Sequence, residues 1–378
     1  MTSAKPSLEL LRSLTDQHVL RALMTHERLT RAELATETGI SRPTIPESVR
    51  RLEAADLVRD TGARTTGRGR VGSYYALAGD LGAALVVGIA PEGVVAEVVD
   101  VRGRVLGRSR HEVPHTTRAG RVRRAMGVAA SQVREQSTVP AVLAVVSAAD
   151  PVDRASGRLT HLPDAPFLVG ELDPVKELKP YVSGPITVDN DVNWAARAEA
   201  AGASDLADFA YVHLGEGLGC AIVSDGEVRR GHHGLTGEIA HVITRGPGGK
   251  AVALTEVFRL LGLRNADSSA VDVPALRSRV DGGGTASRQL LDVLGGAVSG
   301  LLAAVVALAD PQVVVIGGGW GSHPAVLRAV DESFGRMPRH TPVQPARVTD
   351  EPALAGARQH ALRELQDRVL ALHGGPAT

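Results

Sequence analysis

The chain has a single cysteine, Cys220, among its 378 residues. That excludes a disulfide framework within the chain and fits a reducing compartment, so a cytoplasmic location is expected. It has no uninterrupted apolar run of the roughly 20 residues that a membrane helix needs, and no leader pattern at its start. Residues 290–309 come nearest, but Asp292, Ser299 and several glycines suit a packed helix better. Neither charge is in excess: Lys+Arg and Asp+Glu are both 42. Residues 1–78 nevertheless carry 12 basic and 9 acidic side chains, and the remainder 30 and 33. The slight basic excess is by itself a weak footprint for nucleic acid. There is no short-period repeat and no low-complexity tail. A length of 378 residues with 43% hydrophobic and 22% charged residues fits two or three soluble domains.

What is present begins at residues 30–57, TRAELATETGISRPTIPESVRRLEAADL. Thr30 followed by Glu33 makes a capping box for a first helix. Gly39 permits the left-handed turn that ends it. Ser41 is expected to cap a second helix with Pro43 in its first turn. Ile45, Val49 and Leu52 then form one buried stripe. This is the pattern of a DNA-reading helix-turn-helix. Upstream, residues 8–25 supply a supporting helix through Leu11, Leu14, Val19, Leu20 and Leu23. Downstream, strands at 57–59 and 74–77 flank GARTTGRGRVGS, an arginine-rich wing. Candidate DNA contacts are Arg42, Thr44, Ser48 and Arg50 for base edges and phosphates, with Arg64, Arg68 and Arg70 on the wing. Pro46 disagrees with a helix running straight through, since it lacks an N–H. Either the helix kinks there or its regular part begins later.

The body reads as a pattern given twice. Residues 81–90 are a continuous apolar run, hence a buried strand, and 94–101 and 104–113 complete a meander. A basic helix over 118–136, a strand over 141–147, a helix over 168–181 broken near Pro174 and a strand at 186–189 follow. The pattern restarts with strands at 209–214 and 219–224 and a turn at Asp225-Gly226. Helices over 254–263, 287–309, 323–337 and 356–372 and strands at 312–316 and 346–349 close it. Residues 267–285 are expected to be a mobile loop with a short helix. The doubled pattern implies two α/β lobes with a cleft between them.

Three segments carry candidate chemistry. In VDNDVNWAARAEA a buried strand ends in Asn190-Asp191, which places a carboxylate where it can accept a hydroxyl hydrogen bond or act as a base. In HLGEGLGCAIVSDGEVRRG, Gly215, Gly217 and Gly219 let backbone amides approach a phosphate or a sugar. In GHHGLTGEIAH, Glu238 and His241 stand three apart and can serve one polar ligand.

With these motifs in this order, the chain resembles the ROK family (repressors, open reading frames and sugar kinases), most of all its repressor branch. The resemblance spans nearly the whole chain. It implies an α/β fold in which a winged helix-turn-helix precedes an actin-like, ribonuclease-H-like pair of lobes. The expected division is 1–78 for the head, 79–190 with 355–372 for lobe 1, and 191–354 for lobe 2. It implies sugar binding by Asn190, Asp191, Glu238 and His241, with Glu256 completing the pocket. The loop LPDAPFLVG at 162–170 resembles the substrate loop, but Phe167 stands where the family usually has asparagine. Gly317-Gly318-Gly319 resembles the nucleotide-side glycines.

Two departures bear on function. Family kinases cradle ATP phosphates with Asp-x-Gly-Gly-Thr, where this chain has Ala90-Pro91-Glu92-Gly93-Val94. Many members also hold zinc with one histidine and three cysteines, whereas VITRGPGGKAVALTE has no cysteine, so no metal and no cofactor are expected. The leading expectation is a non-enzymatic transcriptional regulator. It would bind an inverted-repeat DNA operator as a homodimer or tetramer, with a sugar or sugar derivative as effector. The alternatives are an ATP-dependent hexose kinase with a regulatory head, and a DNA-binding scaffold with a non-functional pocket.

Overall fold

The computed structural model describes residues 8–66, 71–113, 117–162, 167–169, 171–202, 206–265 and 268–372. The head consists of α1 (Leu8–Thr25), β1 (Leu29–Thr30), α2 (Arg31–Thr38), α3 (Ile45–Ala54), β2 (Val58–Arg64) and β3 (Ser73–Leu77). Lobe 1 runs through β4 (Ala83–Ala90), β5 (Gly93–Asp100), β6 (Val105–His111), β7 (Thr117–Arg118), α4 (Ala119–Glu135), β8 (Ala141–Ala148), β9 (Leu168–Val169), α5 (Pro174–Leu178) and β10 (Ile186–Asn190). Lobe 2 begins with α6 (Asp191–Ala201), β11 (Phe209–Leu214), β12 (Leu218–Ser224) and β13 (Glu227–Val228). It continues with β14 (Ile243–Arg245), β15 (Ala251–Ala253), α7 (Leu254–Leu260), α8 (Val273–Asp281), α9 (Gly284–Ala309), β16 (Val313–Gly317), α10 (Pro324–Phe334) and β17 (Val343–Pro345). Last comes α11 (Pro352–Ala371), which returns to lobe 1.

In the head, the capping box forms as its residues require. Glu33 N–H donates to Thr30 Oγ1 at 3.2 Å, and Thr30 N–H donates to Glu33 Oε2 at 2.8 Å. Gly39 follows at φ 69°, a left-handed value that glycine adopts without a Cβ penalty. Helix α3 starts at Ile45, so Pro46 falls in its first turn, where a missing N–H costs nothing. Ser41 therefore does not cap it. Ser41 Oγ pairs with Thr44 Oγ1 at 2.7 Å in the preceding turn. Ile45, Val49 and Leu52 are buried against Val19, Leu20 and Leu23 of α1. Leu11 and Leu14, expected on that stripe, are 47% and 44% exposed, because α1 extends beyond the head's core. A buried carboxylate locks α1 to α3: Asp16 accepts from the Ser48 hydroxyl and from Arg51 at 2.6 and 2.9 Å.

The two lobes share one topology. Their sheets run β10-β8-β4-β5-β6 and β13-β12-β11-β16-β17. In each, the first strand is central, with an antiparallel meander on one side and parallel strands on the other. Strand β4 is flanked on both sides and covered on both faces, which explains its near-continuous apolar run. Helix α9 is apolar and long enough to cross a membrane, but 56% of its most apolar window is buried inside the protein.

Some boundaries differ from the sequence reading. The helix expected over 168–181 reduces to α5, with β9 before it. Helix α8 is the short helix expected within 267–285, and α9 begins at Gly284, three positions earlier than expected. Helix α11 begins at Pro352, a favoured first-turn residue, four positions earlier than expected. The last strand is displaced toward the N-terminus, to 343–345.

Replacing Asp16 by Ala leaves a buried hydroxyl and the Arg51 guanidinium without their acceptor. Such a change lowers stability by about 3 kcal/mol, read as a shifted urea-unfolding midpoint of the whole chain.

Candidate functional site

The head presents one candidate surface. Arg42 and Thr44 are exposed in the turn before α3, and Arg50 is exposed on α3 itself, pairing with Glu47 at 2.8 Å. Arg64 is on β2, half-exposed and held by Asp60 at 2.9 Å. Ser48 is a correction to the sequence reading. It has no exposed surface, being committed to Asp16, and is not available to DNA. Arg68 and Arg70 lie outside the described residues.

The larger site is a cavity of about 910 Å3 between the lobes. Lobe 1 contributes the β4–β5 hairpin tip and the end of β10; lobe 2 contributes the β11–β12 hairpin and the loop before β14. Asn190 caps α6, its Oδ1 accepting from Val192 N–H at 3.0 Å while its Nδ2 donates to Ala148 O at 3.3 Å. Asp191 is thereby the first residue of α6 and faces the cavity. Behind it, buried Asp189 accepts from Asn193 at 2.9 Å and Arg197 at 2.8 Å, and pairs with Arg230 at 3.2 Å. Arg230 comes from the loop of lobe 2, so Asp189 ties the lobes together beneath the site.

Glu238 and His241 line the same cavity, as their spacing suggested. A close backbone approach places them. Gly237 at φ 92° lies against β12 so tightly that a Cβ there would sit 1.6 Å from Cys220 O. Its carbonyl accepts from Cys220 N–H at 2.9 Å. Glu256 is a second correction. It is turned onto Arg259, which donates to it through Nε at 2.7 and 2.9 Å, and it does not line the cavity. A partner one helical turn away outcompetes the cleft for that carboxylate. Phe167 is 2% exposed, packed in the lobe 1 core while forming part of the cavity wall.

The sequence reading missed several lining groups. His213 breaks the apolar run of β11, the one signal that marked it. Burial pushes it down to about 4, so it is a neutral imidazole at neutral pH. Asp150 and Glu216 also line the cavity, and so does Glu92, which the resemblance had already set at the phosphate hairpin. Burial pushes Asp191 up to about 7, and repulsion from Asp150, Glu238 and Glu92 adds to that, against the Val192 amide. Glu238 is open to the cleft, yet desolvation by its walls pushes it also up to about 7. Among the described residues no three or more His, Cys, Asp or Glu converge as metal ligands.

Comparison with known proteins places these features in a family. Residues 87–255 match the ROK family, and residues 12–59 match the winged helix-turn-helix DNA-binding family. The bifunctional enzyme NanE/NanK of Brucella melitensis is 33% identical over 161 residues, 41% of this chain and 30% of that enzyme. The chain thus spans under a third of that enzyme's length. The beta-glucoside kinase of Listeria monocytogenes is 31% identical over 196 residues, 48% of this chain and 66% of the kinase. A solved ROK family transcriptional regulator, a homolog of the E. coli MLC protein, superposes with a TM-score of 0.65 at 18% identity, covering 97% of this chain and 100% of that one. At that identity the likeness shows a shared fold, in agreement with the expected winged head and actin-like body.

The raised Asp191 fixes a sign for pH dependence. A carboxyl group with a higher pKa folded than unfolded stabilises the fold below its unfolded value, and that contribution is lost as pH rises through the folded value. The stability advantage of Asp191→Asn over the parent therefore grows from about pH 4 to about pH 7 and levels off above. Paired thermal unfolding curves across this range check it.

Proposed function

The chain is a ROK-family protein with a winged helix-turn-helix at its head, and from that premise we propose a DNA-binding transcriptional regulator whose body senses a polyhydroxylated ligand and does not phosphorylate it. The observation that carries the proposal is α11. Its first turn lines the cavity through Pro352, Ala353 and Leu354. Its last turns, through Leu365, Val369 and Leu370, share one core with Val19, Leu20 and Leu23 of the head. One rigid element thus touches both the ligand site and the DNA-binding unit. A ligand that binds one arrangement of the lobes better than another shifts the head by that difference in affinity.

In this reading Asn190, Asp191, Glu238 and His241 hold the ligand's hydroxyls, and a cavity of about 910 Å3 has the size of a small-molecule site. Arg42, Thr44 and Arg50, with the wing arginines, contact DNA. Paired heads of a homodimer fit an inverted repeat with half-sites about one helical turn apart. The division at residues 78 and 190 serves as the functional one.

Both glycine-bearing hairpins argue against a phosphate cradle. The tip of β4–β5 is Pro91-Glu92, with no amide hydrogen on Pro91 and a carboxylate beside it. The tip of β11–β12 carries Glu216 between Gly215 and Gly217. Two like charges about 4 Å apart repel by about 4 kcal/mol in a partly desolvated site. Catalysis of phosphoryl transfer rests on stabilising charge there, not adding to it. One observation favours a kinase instead: a carboxyl group at about 7 is poised to act as a base near neutral pH.

Screening hexoses and other polyols by thermal shift distinguishes these readings. At least one compound is expected to raise Tm and to change affinity for operator DNA about five-fold or more, with both effects lost in Asp191→Ala. Sugar-dependent ATP turnover in a coupled assay would instead assign the chain to the kinases. On the head, Arg42→Ala is expected to weaken DNA binding and flatten its salt dependence by about one unit of slope.

A further inference from the structure

The head meets the body around a second cavity, of about 360 Å3, that the reading above does not use. Its walls are the loop after α1, the base of the β2–β3 wing, the linker over 78–82 and the turn between β5 and β6. Four arginines line it, Arg28 and Arg59 from the head and Arg102 and Arg104 from the body, against two carboxylates, Glu27 and Asp100.

Asp100 is already committed. It accepts from the backbone amides of Arg102 and Arg104 at 2.9 Å each, and from the Arg104 side chain at 2.7 and 2.8 Å. Arg102 is committed too. It donates to Glu27 O at 2.9 Å and to Leu23 O at 3.3 and 3.4 Å, which puts a cation at the carbonyl end of α1. Burial above all, with Arg104 and more weakly Arg59, holds Arg102 below its usual value, against Asp100 and Glu27. Arg28 lies over the Tyr74 ring at 4.7 Å. Arg28 and Arg59 have no carboxylate partner among the described residues. The cavity thus concentrates positive charge that its own residues do not balance.

We propose that this cavity binds a small phosphate-type dianion, inorganic phosphate or a phosphate monoester, between Arg28 and Arg59 of the head, with Arg104 of the body, which it would share with Asp100, as a third contact. Guanidinium groups take such oxygens in paired hydrogen bonds, which suits a dianion over chloride. The volume is at the lower end for small-molecule pockets, enough for a phosphate ester and too small for a duplex. The position also speaks against a DNA backbone. The cavity lies at the base of the wing, where Arg59 pairs with Ala76, and the wing tip begins at the other end of the hairpin, beyond Arg64 and Ser73. A bound dianion would bridge head and body and fix the head's orientation independently of the interlobe cleft, so this proposal does not depend on the cleft's ligand.

The test uses the full chain in chloride buffer at constant ionic strength, titrated with inorganic phosphate and followed by thermal unfolding. Stabilisation is expected to saturate, and Arg59→Gln and Arg104→Gln are each expected to weaken the apparent affinity about ten-fold, with Arg59→Lys retaining part of it. In phosphate-free buffer Arg59→Gln is expected to bind mixed-sequence duplex DNA as the parent does. No saturable response in the parent, or an unchanged affinity in both glutamine variants, overturns the proposal. So does a loss of DNA binding by Arg59→Gln without phosphate, which would give these arginines to the DNA backbone.

Discussion

Glu97 has no solvent exposure, and its carboxylate is held by two guanidinium groups. Arg108 reaches it from the neighbouring strand at 2.7 Å, and Arg358 reaches it from α11 at 2.9 and 3.0 Å. A buried carboxylate stripped of its partners would cost several kcal/mol, so α11 has little freedom to lie elsewhere on the lobe 1 sheet. Arg108 also pairs with Glu351, just ahead of α11, which fixes the end of the helix that lines the cleft. From that seat the helix runs on to the head. The link between the interlobe cavity and the winged head thus depends on a buried charge cluster formed by residues distant in sequence.

The two lobes place their chemistry symmetrically. Glu92 and Glu216 stand on the same hairpin of the same topology, one in each lobe, and both face the cavity. With Asp150, Asp191 and Glu238 they make the cleft acidic; burial is the main cause that pushes Asp191 up to about 7, and repulsion from Asp150, Glu238 and Glu92 adds to it. Such a cleft suits hydroxyl donors, which carboxylates accept well, and suits polyphosphates badly. The contrast between an acidic cleft and an arginine-lined junction gives the two cavities linings of opposite charge within one chain.

Features set by local rules were legible in the sequence. The capping box at Thr30 and Glu33, the left-handed Gly39, the stripe of Ile45, Val49 and Leu52, and the doubled meander all follow from neighbours a few residues apart. So does Asn190-Asp191 at a strand end. Features set by distant partners were not. Ser48 falls on the buried stripe by helical spacing, but only Asp16, 32 positions away, explains why a hydroxyl is tolerated there. Glu256 went astray for the opposite reason, a local arginine taking a carboxylate assigned to the cleft. The lining roles of Asp150 and Glu216 needed the two lobes folded face to face, which no single segment encodes, whereas Glu92 was legible from its place in the phosphate hairpin.

The core shared by α1 and α11 also bears on how such a chain can evolve. A DNA-binding head that closes its own core can be exchanged between bodies like a tool on a handle. Here Leu365, Val369 and Leu370, from the last helix of the chain, complete the packing of its first helix. A recombination that brings in a foreign head therefore brings in a mismatched hydrophobic surface, unless the C-terminal helix travels with it. Inheritance of the two ends is coupled, and drift in one should be answered by drift in the other.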